Sequence, residues 1–553
     1  MSVSGRREFL ARIGSTAIGL GVAPALSSLA AGQPAAPGTA QRITILQTAD
    51  IHAQLDVHDE FFYEDGHAAF RRRGGFATLS TMIRTLRQEN PGNTLVVDTG
   101  DCFQGSAVAA LSKGQAIVRP LNRIGLDLVL PGNWEVVYGK QMLVENLGHY
   151  TARKVCTNMF HAGGQASGLI FPAYQTFTLG STRVGFVGYN DPRTPTRQSP
   201  AYSNGIRFTE PEEDLDRYVR ILRDEKGCQL VFVLSHLGLA QQIDLSNQPI
   251  AKGVDYILGG DTHERVREPL QGTFCKVTEP GAFGSFLGKL DLIVENGAIK
   301  EETYALLEVD PDRYPADQTM TRLIAKAKEP YRSRTDKVLG TTRTPLLRQY
   351  VIETPLDNLI TDALMWKFGT DFVSSNGFRF CPPLVPPPGG VANITEDYLW
   401  SMLPVDPVLK SGEVTGQQIL AWLEKELENV FAKDAVNRFG GWLVRFKGPV
   451  VTFTIGNPAG SRVRDITIKG QPLVLEKTYT MTGCEREGDP DDVICRIPGV
   501  SNARRVSSSP HKVIAEYLAT HSPVAPAIEG RAIATDAPAE LLTQVEHPNY
   551  RFR

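Results

Sequence analysis

The chain has 553 residues, a length that corresponds to about three domains. Hydrophobic residues make up 42% and charged residues 22%, a globular composition that argues against whole-chain disorder. The formal net charge of −3 gives no support to a nucleic-acid binder relying on a global positive field; seven cysteines exclude a disulfide scaffold, and no Cys-x-x-Cys pair points to a zinc ribbon.

In chain order the first feature is Arg6-Arg7, followed by a weakly apolar stretch from Ile13 to Ala31 and a spacer around Pro34 to Gly38. Paired arginines before a short apolar region resemble a twin-arginine signal peptide over residues 1–36, with cleavage between Ala30 and Ala36. An ordinary secretory signal or a membrane anchor is the alternative, but the stretch holds three Gly and one Pro and is poorly apolar for a spanning helix. No later run is long and apolar enough to predict stable membrane insertion after signal cleavage, so the expectation is a periplasmic or secreted protein. Outside the cytoplasm disulfides are allowed; Cys484 and Cys495 are near enough in sequence to pair, and the odd cysteine count leaves at least one thiol free or paired between chains.

Residues 42–310 alternate short apolar runs with amphipathic segments, the signature of an α/β domain. The pattern predicts strands over 42–48, 94–97, 126–130, 183–188, 229–234 and 254–258, and helices over 76–88 and 211–224, the second with a Thr-x-x-Glu start at Thr209. Residues 311–337 are charged and helical in pattern, a linker; residues 338–535 form a second unit of mixed α and β character; residues 536–553 form a polar, loosely attached tail.

Metal-ligating side chains recur where these strands end. Asp50 and His52 follow the first, Asp101 the second, Asn133 the third, His236 the fifth, and Asp261 and His263 the sixth. In open α/β sheets ligands bind at the carboxyl ends of strands. Each motif alone reads as a turn or a satisfied core histidine; five of them in order read as one metal site.

This ordered set resembles the binuclear metallophosphoesterases of the 5′-nucleotidase/2′,3′-cyclic phosphodiesterase family. The resemblance implies an N-terminal metallophosphatase-type α/β/β/α sandwich and a C-terminal 5′-nucleotidase-type α+β substrate-binding domain. It implies that Asp50 and His52 hold a first metal, that Asp101 bridges two metals, and that Asn133 and His236 hold the second. Asp261 falls where the family has a second-metal histidine, and His263 where it has a first-metal histidine or glutamine. Two cations about 4 Å apart clamp a tetrahedral oxyanion and lower the pKa of a shared water, whose hydroxide attacks in line with the leaving group. An additional oxygen ligand in Asp261 favours manganese, with zinc, iron, cobalt or magnesium as alternatives.

The sequence departs from the family at Gly132-Asn133-Trp134-Glu135, where Trp134 replaces the dyad histidine and Val137 the dyad aspartate. Indole transfers no proton at neutral pH. Trp134 and Tyr138 are therefore the candidate catalytic replacements, their alternative being packing at the domain seam. The W-E-x-x-Y-G segment resembles the SoxB thiosulfohydrolases, which release sulfate from a thiosulfonate-modified cysteine on a carrier protein; Asp191-Pro192-Arg193 leans the same way.

In the second unit, Asn376-Gly377-Phe378-Arg379 resembles the family's substrate loop. The resemblance implies an Arg379 guanidinium fork on the substrate oxyanion, with Asn376 beside it. Phe380 and Trp442, or Phe439 beside the latter, are candidates for the rings that sandwich a nucleobase. The charge run from Glu485 to Asp492 reads as a solvated loop. The expected activity is phosphate release from nucleotides or related small esters. Carrier-linked thiosulfonate hydrolysis and a non-catalytic metal-stabilised binding protein are the alternatives.

Overall fold

The computed structural model describes residues 40–163, 168–438 and 441–543. The signal peptide expected over residues 1–36, Phe439 and the last part of the expected tail lie outside these residues.

Strand Gln41–Thr48 is almost wholly buried, as a strand covered on both faces must be. It pairs in parallel with Thr94–Asp98 and antiparallel with Phe286–Glu295, at the centre of a six-stranded sheet completed by Ala298–Glu308, Leu128–Val129 and Arg153–Lys154. A second six-stranded sheet centres on Leu230–His236, parallel to Thr182–Asn190 and Tyr256–Leu258. Its alternate residues divide two cores. Phe186, Phe232 and Tyr256 point toward the first sheet and stack in succession, with centroids 5.3 and 6.1 Å apart. Val187, Val233 and Ile257 face an outer cluster with the helices Leu215–Arg220 and Leu239–Asn247. Helix Phe76–Glu89 covers the first sheet through Leu79, Met82, Ile83 and Leu86. The result is the expected α/β/β/α sandwich.

Some local expectations change. The predicted helix over 211–224 is three pieces: a 3₁₀ turn Pro211–Glu213, an α-helix Leu215–Arg220 and a π turn Ile221–Glu225. Its cap is Glu210, whose N–H donates to Glu213 at 3.1 Å, not Thr209; Pro211 at N1 fixes the start. Two hairpins, His58–Glu64 with His67–Arg73 and Phe286–Glu295 with Ala298–Glu308, had no sequence expectation.

Within 311–337, helix Gln318–Lys328 starts where the Asp317 carboxylate accepts the N–H groups of Thr319 and Met320 at 2.8 and 2.9 Å. The C-terminal half follows with a five-stranded sheet around Thr478–Cys484 and a four-stranded sheet around Pro449–Phe453. They pack with helices Pro355–Phe368, Gly416–Phe431 and Pro510–His521. The start of the tail is tied down, contrary to the loose attachment expected of its polar sequence. Leu541 O accepts the Val351 N–H at 2.8 Å, and Leu542 packs on the cluster of Phe61 and Tyr350.

Candidate metal centre

The sheet topology brings five loops to one point. Strand Gln41–Thr48 runs into Asp50 and His52, Thr94–Asp98 into Asp101, and Leu128–Val129 into Asn133. Leu230–His236 ends on His236 itself, and Tyr256–Leu258 leads to Asp261 and His263. The Asp50 N–H donates to Gly100 O at 2.9 Å and the His52 N–H to Asp101 O at 2.8 Å, lacing the first two loops together. Asp50, His52, Asp101, Asp261 and His263 all have left-handed φ, at 51°, 48°, 62°, 86° and 60°. Such backbone costs about 1–3 kcal/mol per residue and persists where the surroundings over-determine it. The glycines make the close approach: a Cβ on Gly132 would stand 2.2 Å from Asp101 Oδ1.

The donor atoms converge. Asp101 Oδ2 lies 3.9 Å from His52 Nε2 and 3.2 Å from His236 Nε2. Asp50 Oδ1 is 3.6 Å from His263 Nε2 and 4.0 Å from His236 Nε2, while Asp261 Oδ1 is 3.8 Å from His236 Nε2. The Nε2 atoms of His52 and His263 are 3.0 Å apart. Two donor sets emerge, Asp50 with His52 and His263, and Asp50 with Asp101 and His236, each with ligand atoms within 4.8 Å.

The donors fit divalent cations. His52 Nδ1 bonds to Gln104 O at 3.0 Å and His236 Nδ1 to Thr99 O at 2.7 Å, so each Nδ1 donates a proton and each Nε2 is turned to the cluster. His236 Nε2 is buried and makes no hydrogen bond of good geometry. Burial, then nearby carboxylates, push the Asp50 carboxyl well above its usual range. Burial opposes protonation of His236, yet Asp101, Asp50 and Asp261 raise its pKa well above the ordinary value, so the cluster draws in positive charge. Burial and the neighbouring His52 lower that of His263, leaving the neutral, ligating imidazole.

Glu135 supports this arrangement. Its buried carboxylate accepts the N–H groups of Asp101, Cys102, Phe103 and Gly132 at 2.8, 2.5, 3.2 and 2.6 Å. It fixes the Asp101 loop against the Asn133 loop. Asp261 is held from the other side: its carboxylate accepts from Asn133 Nδ2 at 2.7 Å, Arg197 Nη2 at 3.1 Å and Arg379 Nη2 at 3.2 Å. Burial opposes its ionisation, but the two guanidinium groups hold the carboxyl below the usual carboxylate range.

Asp101, Asn133, Asp261 and His263 open onto a cavity of ≈130 Å³ between the two halves, where Trp134, Asn376, Arg379, Phe380 and Trp442 also stand. Phe380 offers no free face for a base. It stacks on Phe378 at 4.8 Å, meets Trp134 edge-on at 5.4 Å and lies 5.3 Å from the His52 ring. Tyr138 does not join the site. The turn Asn133–Val136 carries it to the core side, where its hydroxyl is 3.5 Å from Phe103 O, and Tyr202 takes the cavity wall instead. The 485–492 run is the expected solvated loop over residues 487–492, but not at its start. Lys410 and Arg505 neutralise buried Glu485, and Arg486 lines the cavity. Glu135 and Arg197 escaped the sequence reading; Glu135 stood inside the W-E-x-x-Y-G segment, and Arg197 lies just beyond Asp191-Pro192-Arg193.

Residues 43–265 match the calcineurin-like phosphoesterase family and residues 327–484 the 5′-nucleotidase C-terminal domain. A snake venom 5′-nucleotidase of Gloydius brevicauda is 25% identical, covering 89% of this chain and 88% of the relative. The 5′-nucleotidase of Mus musculus is 24% identical over 92% of each chain. The sulfate thiohydrolase SoxB of Thermus thermophilus superposes with a TM-score of 0.80 at 22% identity, covering 92% of this chain and 99% of that one. A 5′-nucleotidase precursor from the same organism superposes with a TM-score of 0.77 at 23% identity, covering 90% and 100%. At these identities the structures speak to fold alone.

Proposed function

The chain belongs to the calcineurin-like phosphoesterases that carry a 5′-nucleotidase C-terminal domain, and on that premise we propose that it is an exported phosphohydrolase acting on nucleotides or related small phosphate esters. The observation that carries this reading is the pair of donor sets sharing Asp50, set at the floor of a cavity rimmed by Arg379. Divalent cations held by Asp50, His52, Asp101, Asn133, His236, Asp261 and His263, manganese in this proposal, supply Lewis acidity toward an oxyanion and acidify water.

The protein groups do the rest. Asp101, within 4 Å of both His52 and His236, would offer its carboxylate to cations held by either imidazole. Gln104 O and Thr99 O lock the tautomers of those two imidazoles. Arg379 keeps one guanidinium nitrogen, Nη1, buried and without a hydrogen-bond partner beside the cavity, available to a tetrahedral oxyanion. Trp134 cannot protonate a leaving group, so the site suits substrates whose leaving group departs without help.

Phosphate release is the test. The manganese-loaded protein is offered 5′-nucleotides, 2′,3′-cyclic nucleotides and an activated aryl phosphate, with His236→Ala as control. Release that disappears in the variant supports the reading; no release from any ester with metal bound would sink it. Trp134 in place of the dyad histidine favours a second reading, hydrolysis of a carrier-protein cysteine thiosulfonate. Sulfate release from such a peptide, with phosphate esters untouched, would select it.

A further inference from the structure

We propose that Cys484 and Cys495 form a thiol–disulfide site in the cavity wall, oxidised by a small-molecule disulfide and closing the loop that bridges the two halves of the molecule. Their sulfurs lie 3.7 Å apart, and the Cys495 N–H donates to Cys484 O at 3.1 Å, so backbone and side chains already face each other. Among the described residues no other two cysteine sulfurs are in such contact. Gly483 provides the room: a Cβ there would sit 3.2 Å from Cys495 Cβ. Cys484 reaches the cavity beside Asn376, whose Nδ2 is 3.8 Å from its sulfur, so a reagent entering the cavity meets Cys484, with the Cys495 sulfur behind it.

The reaction balances with one co-reactant, a small disulfide such as oxidised glutathione. Hydrogen bonding from Cys484 brings the Cys495 thiol down to about 7 against burial, which marks Cys495 as the base that takes the Cys484 proton. The Cys484 thiolate so formed attacks one reagent sulfur in the cavity and expels a thiolate. Cys495, giving up that proton, then attacks the Cys484 sulfur and displaces the second thiolate from the mixed disulfide. The two protein thiols lose two electrons and two protons, and the reagent becomes two thiols.

The loop so closed makes the contacts across the cavity rim. Arg486 Nη1 donates to Thr196 O at 2.7 Å, Ser199 Oγ to Glu487 O at 2.6 Å, and the Ala201 N–H to Glu487 O at 3.3 Å. Just past the loop, Arg496 Nη2 donates to the carbonyl of Arg197, the residue that holds Asp261. Restricting residues 485–494 therefore fastens the seam between the two halves.

The full chain is incubated with oxidised glutathione, alkylated, denatured, alkylated again and digested without reduction. The expected result is a peptide pair linked through Cys484 and Cys495, two hydrogens lighter than the free thiols, with the other five cysteines alkylated. Reduction should then lower the thermal midpoint of the wild type by a few degrees and leave Cys484→Ser unmoved. Cys495→Ser serves the same purpose should the first variant fail to fold. Alkylation of both cysteines, or a lasting glutathione adduct on either, would overturn the proposal. Neither readout uses turnover, so its failure is separable from failure of the phosphoesterase reading.

Discussion

In the C-terminal half, Asp357 is fully buried between Arg348, at 2.8 Å, and Arg445, at 3.0 Å. Thr354 Oγ donates to the same carboxylate at 2.7 Å, and the guanidinium groups spend their other donors on the carbonyls of Met402, Val351 and Tyr350. In the N-terminal half, Asp50 and Asp101 are just as buried, but their neighbours are three imidazoles that turn Nε2 inward, and of the cluster's carboxylates Asp261 is the one paired with Arg197 and Arg379. In the first cluster the buried carboxylate has its charge balanced by protein cations alone. The second leaves buried carboxylates facing one another and a buried His236 Nε2 unbonded, and positive charge from outside completes it. Burial of charge does not by itself mark a functional site; incompleteness of its pairing does.

The comparison can be broken by mutation. The largest effect is expected from His236→Ala: turnover should fall by more than the ~10–100-fold typical of an outer-shell change, with the fold retained in circular dichroism. Wild-type turnover in that variant would remove His236 from the centre. Asp357→Asn should act in the opposite register. Two buried guanidinium groups would be left short of an ionised partner, a loss of about 3–5 kcal/mol in unfolding free energy, while metal content measured by elemental analysis stays at the wild-type ratio. Chelation should destabilise the wild type by about 3 kcal/mol relative to protein saturated a hundredfold above Kd, read as a thermal midpoint that manganese restores. In Asp357→Asn that difference should persist; in His236→Ala it should shrink. The smallest effect is expected from Glu135→Gln, which offers an amide to four backbone N–H donors; unfolding free energy should fall by about 1–3 kcal/mol and metal titration should show weaker binding. Unchanged titration would mean that the Asp101 loop holds itself.

Much of this was legible before any fold was drawn. The apolar runs at 42–48, 94–97, 229–234 and 254–258 announced the central strands, and the Asp, His and Asn residues at their ends announced the donors. The helix over 211–224 failed because three local preferences compete inside it: Pro211 starts a 3₁₀ turn, Asp214 leaves helical backbone at φ −154°, and the end opens into a π turn. Tyr138 failed because the turn at Asn133–Val136 rotates it away by a geometry that residue type does not encode. The start of the 485–492 run departed from a solvated loop because the partners of Glu485, Lys410 and Arg505, lie on other strands.

The sequence alone determined the order of elements and the identity of the donors, since both depend on hydrophobic period and on a few residues adjacent in the chain. Only the tertiary structure decided which charges are paired. Arg197 meets Asp261 across 64 positions and Arg379 meets it across 118, and Cys484 comes to the cavity wall through a sheet of the opposite half. Such contacts arise from the packing of distant loops within one half and from the closure of the two halves against each other, and no local rule reaches that far.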